Sequence, residues 1–547
     1  MSSMNRASVT TPAAPPSAEQ TGEMTHREVM EALSGLLLAM FVAMLSSTVV
    51  SNALPAIVTD LEGSQTGYTW VVVATLLTMT ATTPIWGKLA DQFSKKLLVQ
   101  SALVIFSIGS VIAGLAPSME VLIGARAIQG LGVGGLTALV QVVIATMVSP
   151  RERGRYSGYI GAVFALATVS GPLVGGLLVD SVGWRWCFFS GLPVALLAFV
   201  VLQKTLRLPT IKREVTIDYL GATLLMGGVS LVLVWVSLAG SQFTWTSATS
   251  LVLVAAGLAV IVGAVLVEAY VAKDPVIPLR LFKDRTTTLA TAASVLIGVA
   301  MFGATVYLSQ YFQLARGMSP TRAGLMSICM VGGLLVSSII SGRLITKTGK
   351  WKKFLIGGMV FVIVGLALLA TIDDTTNLAL VGVFMAVLGL GLGATMQNTV
   401  LAVQNSVAAA DLGSGSSVVA FFRSVGGTIG VSALGAVLSH QVSDHVRTGL
   451  ASLVQAGTVT EDQLAALGAD SHSIPDLDTL SPPVRQVFEH AFGEATGHLF
   501  LISLPFAVLS LLLLVFIEEK PMRTTVLRDD EIAAAAAPEA TPSGVGR

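Results

Sequence analysis

Charge is what this chain has least of. Asp, Glu, Lys and Arg make up 12% of its 547 residues, about half the share of an ordinary soluble protein. Cysteine occurs twice, at Cys187 and Cys329, each inside a long apolar run. That excludes a disulfide scaffold and leaves both thiols as small apolar packing groups. The 32 basic residues cancel 32 acidic ones, and no basic tract stands apart from an apolar run. A nucleic-acid partner is therefore not expected. Nucleotide drive lacks its motif: the Gly-Lys pairs at Gly87-Lys88 and Gly349-Lys350 have Thr82 and Leu344 where a P-loop places its first glycine. No apolar run holds the His, Asp or Ser cluster that a membrane-embedded enzyme requires. His440, His445, His472, His490 and His498 follow no metal-ligand spacing. The chain is thus expected to carry no catalytic residue, no metal and no cofactor.

Apolar residues are what it has instead, at 53% with a mean hydropathy of +0.79. A soluble monomer does not tolerate that much apolar surface. Spanning a hydrocarbon core takes about 20 apolar residues as a helix, and the sequence holds fourteen such runs. They lie near 34–57, 69–88, 98–117, 120–148, 157–180, 186–203, 217–239, 248–272, 287–312, 321–344, 353–371, 377–403, 414–438 and 498–517. Lipid offers the backbone no partners, so runs of this length are helices. The expected fold class is an all-α integral membrane protein. Residues 1–31 are polar and lack an apolar signal core, so they are read as a disordered cytoplasmic tail. Residues 518–547 are read as a cytoplasmic tail at the other end. Residues 441–497, with five of the six histidines in or beside them, are the one large insertion, read as a solvated extracellular loop.

Charge bias sets orientation. With the N-terminus inside, 25 of the 32 Lys and Arg fall in inner segments and five in outer ones, at Arg185, Arg316, Arg322, Arg447 and Arg485. Arg126 and Arg423 lie within spans. Both termini are therefore expected in the cytoplasm of a plasma or inner membrane. Trp70, Trp86, Trp184, Trp186, Trp245 and Trp351 fall at helix ends, as interfacial rings do; Trp235 alone lies inside a span.

The chain also repeats itself. The segment from Gly87 through Leu89 and Asp91 to Lys95 and Lys96 has a counterpart running from Gly342 through Leu344 to Gly349 and Lys350, an offset of 255 residues. That offset carries the first span onto the ninth. Two related six-helix bundles, 32–203 and 286–517, are expected, with two linking helices in 204–285. Parallel repeats of this kind belong to transporters that rock two halves around a central site.

Three motifs sharpen this reading. The first is the loop Gly87–Lys96. The second starts at Arg126 and includes Gln129, Gly130 and Gly134, within the fourth span. The third runs from Gly161 to Gly171, Pro172, Gly175 and Gly176, within the fifth. With Asp218-Tyr-Leu-Gly221, Gln397-Asn398, Gln404-Asn405 and the stretch around Arg423, they make the chain similar to the major facilitator superfamily, in its fourteen-spanner drug:proton antiporter branch, over about residues 34–517. The resemblance implies a conformational latch at Gly87, Asp91, Lys95 and Lys96, with Asp91 bonding a helix N-terminus. It implies a coupling role for Arg126, with Gln129, because a mid-span cation is too costly to keep idle. Arg423 is the second such candidate. Gly171, Pro172, Gly175 and Gly176 match an exporter signature, and glycines and a kinking proline supply a pliable seam between the halves. Asn52, Gln397 and Asn398 are candidate substrate-cavity residues.

Two departures stand out. In the latch loop, Gln92 and Ser94 replace the usual Arg and Gly. In the first span, Ser46 stands where the branch carries an acid, so the usual proton acceptor is missing. Asp60 and Asp180, near the outer mouth, are the favoured replacements over Glu268, and Asp91 contributes if its protonation breaks the latch. The expected activity is proton-coupled export of hydrophobic or cationic drugs, hence multidrug efflux and antibiotic resistance, by a monomer whose partners are protons, its small-molecule substrate and the bilayer. A dedicated exporter of one endogenous lipid or secondary metabolite fits the same residues; a membrane-embedded enzyme is the reading from another class.

Overall fold

The computed structural model describes residues 26–61, 65–206, 218–239, 243–455 and 480–523. Each apolar run becomes a helix, and among the described residues fourteen helices are long and apolar enough to cross a membrane. They are α1 (His26–Asp60), α2 (Gln65–Gln92), α3 (Lys95–Gly114), α4 (Met119–Met147), α5 (Pro150–Ser181), α6 (Arg185–Thr205, broken after Phe189) and α7 (Tyr219–Leu238). Then follow α8 (Ala248–Tyr270), α9 (Arg285–Gln310, ending in a π turn), α10 (Pro320–Thr348), α11 (Lys352–Leu369), α12 (Leu378–Ser406), α13 (Leu412–Gln455) and α14 (Pro482–Val515).

Local chemistry sets many of the boundaries. Pro150, Pro320 and Pro482 open their helices, where a missing N–H costs nothing. Asp218 caps α7 by accepting from Gly221 N at 2.8 Å, which explains the Asp-Tyr-Leu-Gly spacing. Gly349 ends α10 at φ +70°, a left-handed conformation that glycine adopts without strain.

The repeat is visible in the packing. In the first half α2 and α3 pack on α4, while α1 packs on α5 and α6. In the second half α10 and α11 pack on α12, while α9 packs on α13 and α14. The two six-helix bundles meet along two seams that the repeat relates to each other, α2 against α13 and α5 against α10. The inserted hairpin α7–α8 leans on the first seam through α7, which touches both α2 and α13. The outer faces carry exposed Leu177, Leu196, Val252, Leu258 and Val383, as lipid contact requires.

Several boundaries differ from the sequence reading. Helix α1 begins at His26, so the last part of the 1–31 tail is helical; the remainder lies outside the described residues. The insertion 441–497 is not a solvated loop in its described parts. Helix α13 runs for 44 residues, about 66 Å at 1.5 Å per residue, twice the ~30 Å of a hydrocarbon core. Its extension packs on that of α14 through Leu450, Val484, Val446 and Val487, and this apolar strip makes the flanks helical. Residues 456–479 lie outside the described set. His490 Nδ1 stands 2.8 Å from Asp374 and His445 Nε2 3.8 Å from Glu494, so these histidines pair with acids.

The tryptophans also differ. Trp351 is fully buried, and Trp86 and Trp184 are nearly so. Each places its indole N–H on a protein oxygen, Lys520 O, Leu131 O and Asp60 Oδ2 respectively. These three are internal anchors, whereas Trp186 is exposed.

Candidate functional site

Among the described residues, Asp91, Lys96, Arg151, Arg280 and Lys520 are joined by bonds at one end of the bundle pair, the basic end, and there the two halves are bonded together. Asp91, in the last turn of α2, reaches the start of α13. Its Oδ1 accepts from Gly413 N at 2.7 Å, and its Oδ2 from Ser414 N at 2.9 Å and Ser414 Oγ at 2.8 Å. A carboxylate thus fills the unsatisfied N–H groups at a positive helix end. Two glycines permit the approach. A Cβ on Gly87 would overlap Ser417 and stand 2.8 Å from Gly413 O, and one on Gly413 would overlap Gly87 O. Beside this contact Arg280 pairs with Asp411 at 2.8 Å. Lys95 lies within electrostatic reach of Asp91. Lys96 does not join the cross-half contact. Its Nζ takes Gln203 O at 2.6 Å, binding α3 to the end of α6 within the first half.

A second polar group crosses between the halves at the same end. Arg153, 2% exposed, donates to Val148 O and Ala145 O at the end of α4 and to Gln404 Oε1 on α12 at 3.1 Å. Gln404 in turn donates to Ser416 Oγ at 2.9 Å. About two turns earlier on α12, Gln397 Oε1 accepts from Gln141 Nε2 at 3.0 Å. Gln397 is therefore engaged in closing the halves together. Asn398 faces elsewhere: it is buried between α10 and α12, donating to Ser341 Oγ at 3.2 Å and Ala394 O at 2.7 Å. The structure does not bring these two neighbours to one cavity, because adjacent residues on a helix point about 100° apart. The side chain of Asn52 lies outside the described residues.

Both mid-span arginines are buried, Arg126 at 4% and Arg423 at 9% exposure. Arg126 Nη1 donates to Gln129 Oε1 at 2.8 Å and its Nε to Val71 O at 3.3 Å; Gln129 passes the chain on to Ser110 Oγ at 2.7 Å. Arg423 donates to Met396 O at 3.3 Å. Among the described residues neither has a carboxylate partner. The two sit in different halves. Each is held by neutral oxygens, an expensive state for a full charge.

The glycine motif of α5 is placed differently from the seam expected of it. Gly171 faces α1 inside its own half, where a Cβ would overlap Thr48, whose hydroxyl donates to Ala167 O at 3.2 Å. The cross-half contact of α5 is made earlier, at Gly158 against Ile339 and at Gly161 against Ser338. Gly175 is buried and Gly176 has open space around it. The Pro172 side chain lies outside the described residues.

The acids divide by environment. Asp60 accepts from Trp184 Nε1 and Arg185 Nη1, both at 2.9 Å. These bonds, Trp184's first, hold its carboxyl below the usual carboxylate range, so it stays ionised in mild acid and is a poor proton acceptor there. Glu268 is buried and accepts from Ile277 N at 3.0 Å, tying the end of α8 to the segment that follows. The Asp180 side chain lies outside the described residues. Ser46, in the place of the missing acid, is buried with no bonded partner for its hydroxyl among the described residues.

Sequence reasoning missed Arg151, Arg153 and Gln141. The arginines carry the signal of loop charges in the sequence, although they open α5. An unpaired glutamine inside an apolar run was the available signal for Gln141.

Two repeated bundles closed on each other at one end define a two-half membrane transporter. The comparisons agree. Residues 36–431 match the model of the Major Facilitator Superfamily. The multidrug transporter protein MdtP of Bacillus subtilis (strain 168) is 36% identical over 419 residues, 76% of this chain and 76% of its own. The efflux pump dotC of Dothistroma septosporum is 35% identical over 509 residues, 91% of this chain and 85% of its own. The human organic anion transporter MFSD10 shares the fold, with a TM-score of 0.55 at 14% identity over 88% of this chain and 99% of its own. The chain belongs to the major facilitator superfamily. It is a multi-pass membrane transporter of small molecules, a family and fold that point away from an enzyme.

Proposed function

We propose that this protein exports hydrophobic or cationic small molecules across the plasma membrane by alternating access, driven by protons moving the other way. The observation that carries the direction is the naming of its relatives, MdtP as a multidrug transporter and dotC as an efflux pump, each covering three quarters or more of the chain. The charge bias puts the basic end in the cytoplasm. The Asp91, Gln141 and Arg153 bonds then close the cytoplasmic side, and the conformer is the outward one.

Coupling is assigned to groups that change surroundings as the halves rock. Asp91 is bonded across the halves only while the basic end is closed. Protonation removes the charge that holds three donors and favours opening. Asp180 is the candidate acceptor at the outer mouth, since Asp60 is committed to Arg185 and Trp184. Arg126, with no acid partner among the described residues, stabilises a nearby anion and so helps an acid release its proton.

The test is efflux of several chemically unrelated hydrophobic dyes from cells expressing the protein, with and without an uncoupler. Broad efflux abolished by the uncoupler supports the proposal. Export of none of the dyes points to a dedicated substrate, and efflux indifferent to the uncoupler removes the proton. Cysteine labelling from outside should tag position 470 and spare position 95; the reverse overturns the orientation.

A further inference from the structure

The Asp91 contact closes only the α2–α13 seam, yet the repeat relates that seam to a second one, α5–α10. At the offset of 255 residues the counterpart of Asp91 is Thr346, which offers no carboxylate. The second seam is bonded another way. The first turn of α5 presents Arg151 N to Arg523 O at 3.2 Å. The Arg151 guanidinium turns to Thr346 O at 3.1 Å and Lys347 O at 3.4 Å, in the last turn of α10. A helix start of one half thus receives an oxygen of the other, and a helix end of the second half receives a cation of the first. Both are the partners that unsatisfied helix termini take.

The oxygen comes from a segment that the sequence reading assigned to a cytoplasmic tail. Residues 518–523 instead lie across the basic end of the second half. Glu519 accepts from Trp351 N at 2.8 Å and Lys352 N at 3.1 Å, at the start of α11. Lys520 pairs with Asp284 at 2.6 Å. Pro521 O and Arg523 N each bond the Asn405 amide at 3.1 Å. Arg523 Nη2 takes Gln404 O at 2.7 Å and Val407 O at 3.2 Å, a cation on the last carbonyls of α12. Met522 is buried. The segment is therefore bound to the second half and moves with it, meeting the first half at Arg151.

We propose that Arg151 and the strap over residues 518–523 form a second cross-half clasp, the counterpart of the Asp91 latch on the α5–α10 seam, and that stable closure of the basic end requires both. Arg151 and Arg523 are positioning residues: they touch no substrate and set which conformer is populated. The proposal rests on alternation between the two halves. Its test reads the distance between them without substrate or gradient, so it stands or fails apart from export direction and proton coupling.

The experiment uses the full chain in lipid nanodiscs, with Cys187→Ala and Cys329→Ala and spin labels on exposed Arg155→Cys of α5 and Arg343→Cys of α10. Arg151→Ala should enlarge the longer-distance population about tenfold relative to the shorter, the worth of one charge-assisted hydrogen bond. A chain ending at Met522 should shift the same populations in the same direction by a smaller factor, since the bond it loses to the first half is a neutral one, Arg151 N to Arg523 O. The two changes together should open the seam further than either alone, because they remove different bonds of the clasp, the guanidinium on Thr346 O and the backbone N–H on Arg523 O. Arg151→Lys should restore part of the closed population, since an ammonium reaches one carbonyl. Thermal melting is read in parallel. Unchanged distances in both variants, or a double variant no more open than Arg151→Ala alone, would overturn the proposal. So would a lowered melting temperature with the closed distance intact, which would make the strap a brace.

Discussion

Replacing Asp91 by Asn tests the closure at the α2–α13 seam with the least steric disturbance. The side chain keeps its shape but loses its charge and exchanges one oxygen for an NH2 group. Three donors converge on the two carboxylate oxygens, Gly413 N on one, Ser414 N and Ser414 Oγ on the other. The amide serves one of those sites and sets its own N–H groups against a donor at the other. Each hydrogen bond to a charged group contributes about 1.5–3 kcal/mol, and a charge at a helix start about 0.3–1 kcal/mol. In the open conformer water takes the same groups, so only part of this total separates the two states. A shift of about 2 kcal/mol toward the open basic end is expected, about 30-fold in population. Spin labels at exposed Phe93→Cys and Lys283→Cys report the seam. Asp91→Asn should turn a mainly short distance into a mixture, and Asp91→Ala should go further. A closed population unchanged in both variants would refute the argument that Asp91 holds the seam.

Other consequences concern packing, coupling and pH. Gly158→Leu should open the α5–α10 seam against Ile339, whereas Gly171→Leu should lower the melting temperature by forcing α1 from α5; if only Gly171→Leu shifts the distance between halves, the placement of the seam is wrong. Arg126→Ala should insert and express yet lose energised efflux, with Arg126→Lys rescuing poorly because a single ammonium cannot replace the guanidinium fork; normal efflux by the alanine variant would make Arg126 structural. Asp60 has a lowered carboxyl pKa in the fold, so its ion pair is intact above the ordinary carboxylate range and is lost only as pH falls through the lowered value. Asp60→Asn should therefore leave the pH profile of transport unchanged at about pH 5–8, measured as efflux rate against external pH; a displaced profile would return Asp60 to the coupling site.

How far the sequence is legible follows from what lipid does to it. Length and hydropathy reveal fourteen spans because the bilayer requires every spanning backbone to bond with itself. The loops at Gly87 and Gly342 reveal the repeat because glycine and basic residues punctuate both halves alike. Facing is harder to read. In a membrane bundle the lipid side and the packed side are both apolar, so periodicity does not say which neighbour Gly171 meets, nor that Asn398 turns toward Ser341. Arg151 and Arg153 carry the same topogenic signal as any inner-loop cation, and only the fold shows that they meet Thr346 and Gln404. Tryptophan is ambiguous in the same way: Trp351 falls at a helix end by sequence and is sealed by Lys520 in the fold.

Proton-driven export is the central claim, and purified protein in sealed vesicles with an imposed pH gradient tests it most directly. A hydrophobic cationic dye should move against the proton flow, and adding dye should release protons down their gradient at a rate that falls in Asp91→Asn, Asp180→Asn and Arg126→Ala. Dye transport with no accompanying proton movement would contradict the account and leave a facilitator, with the serine at position 46 as the reason the coupling acid is missing.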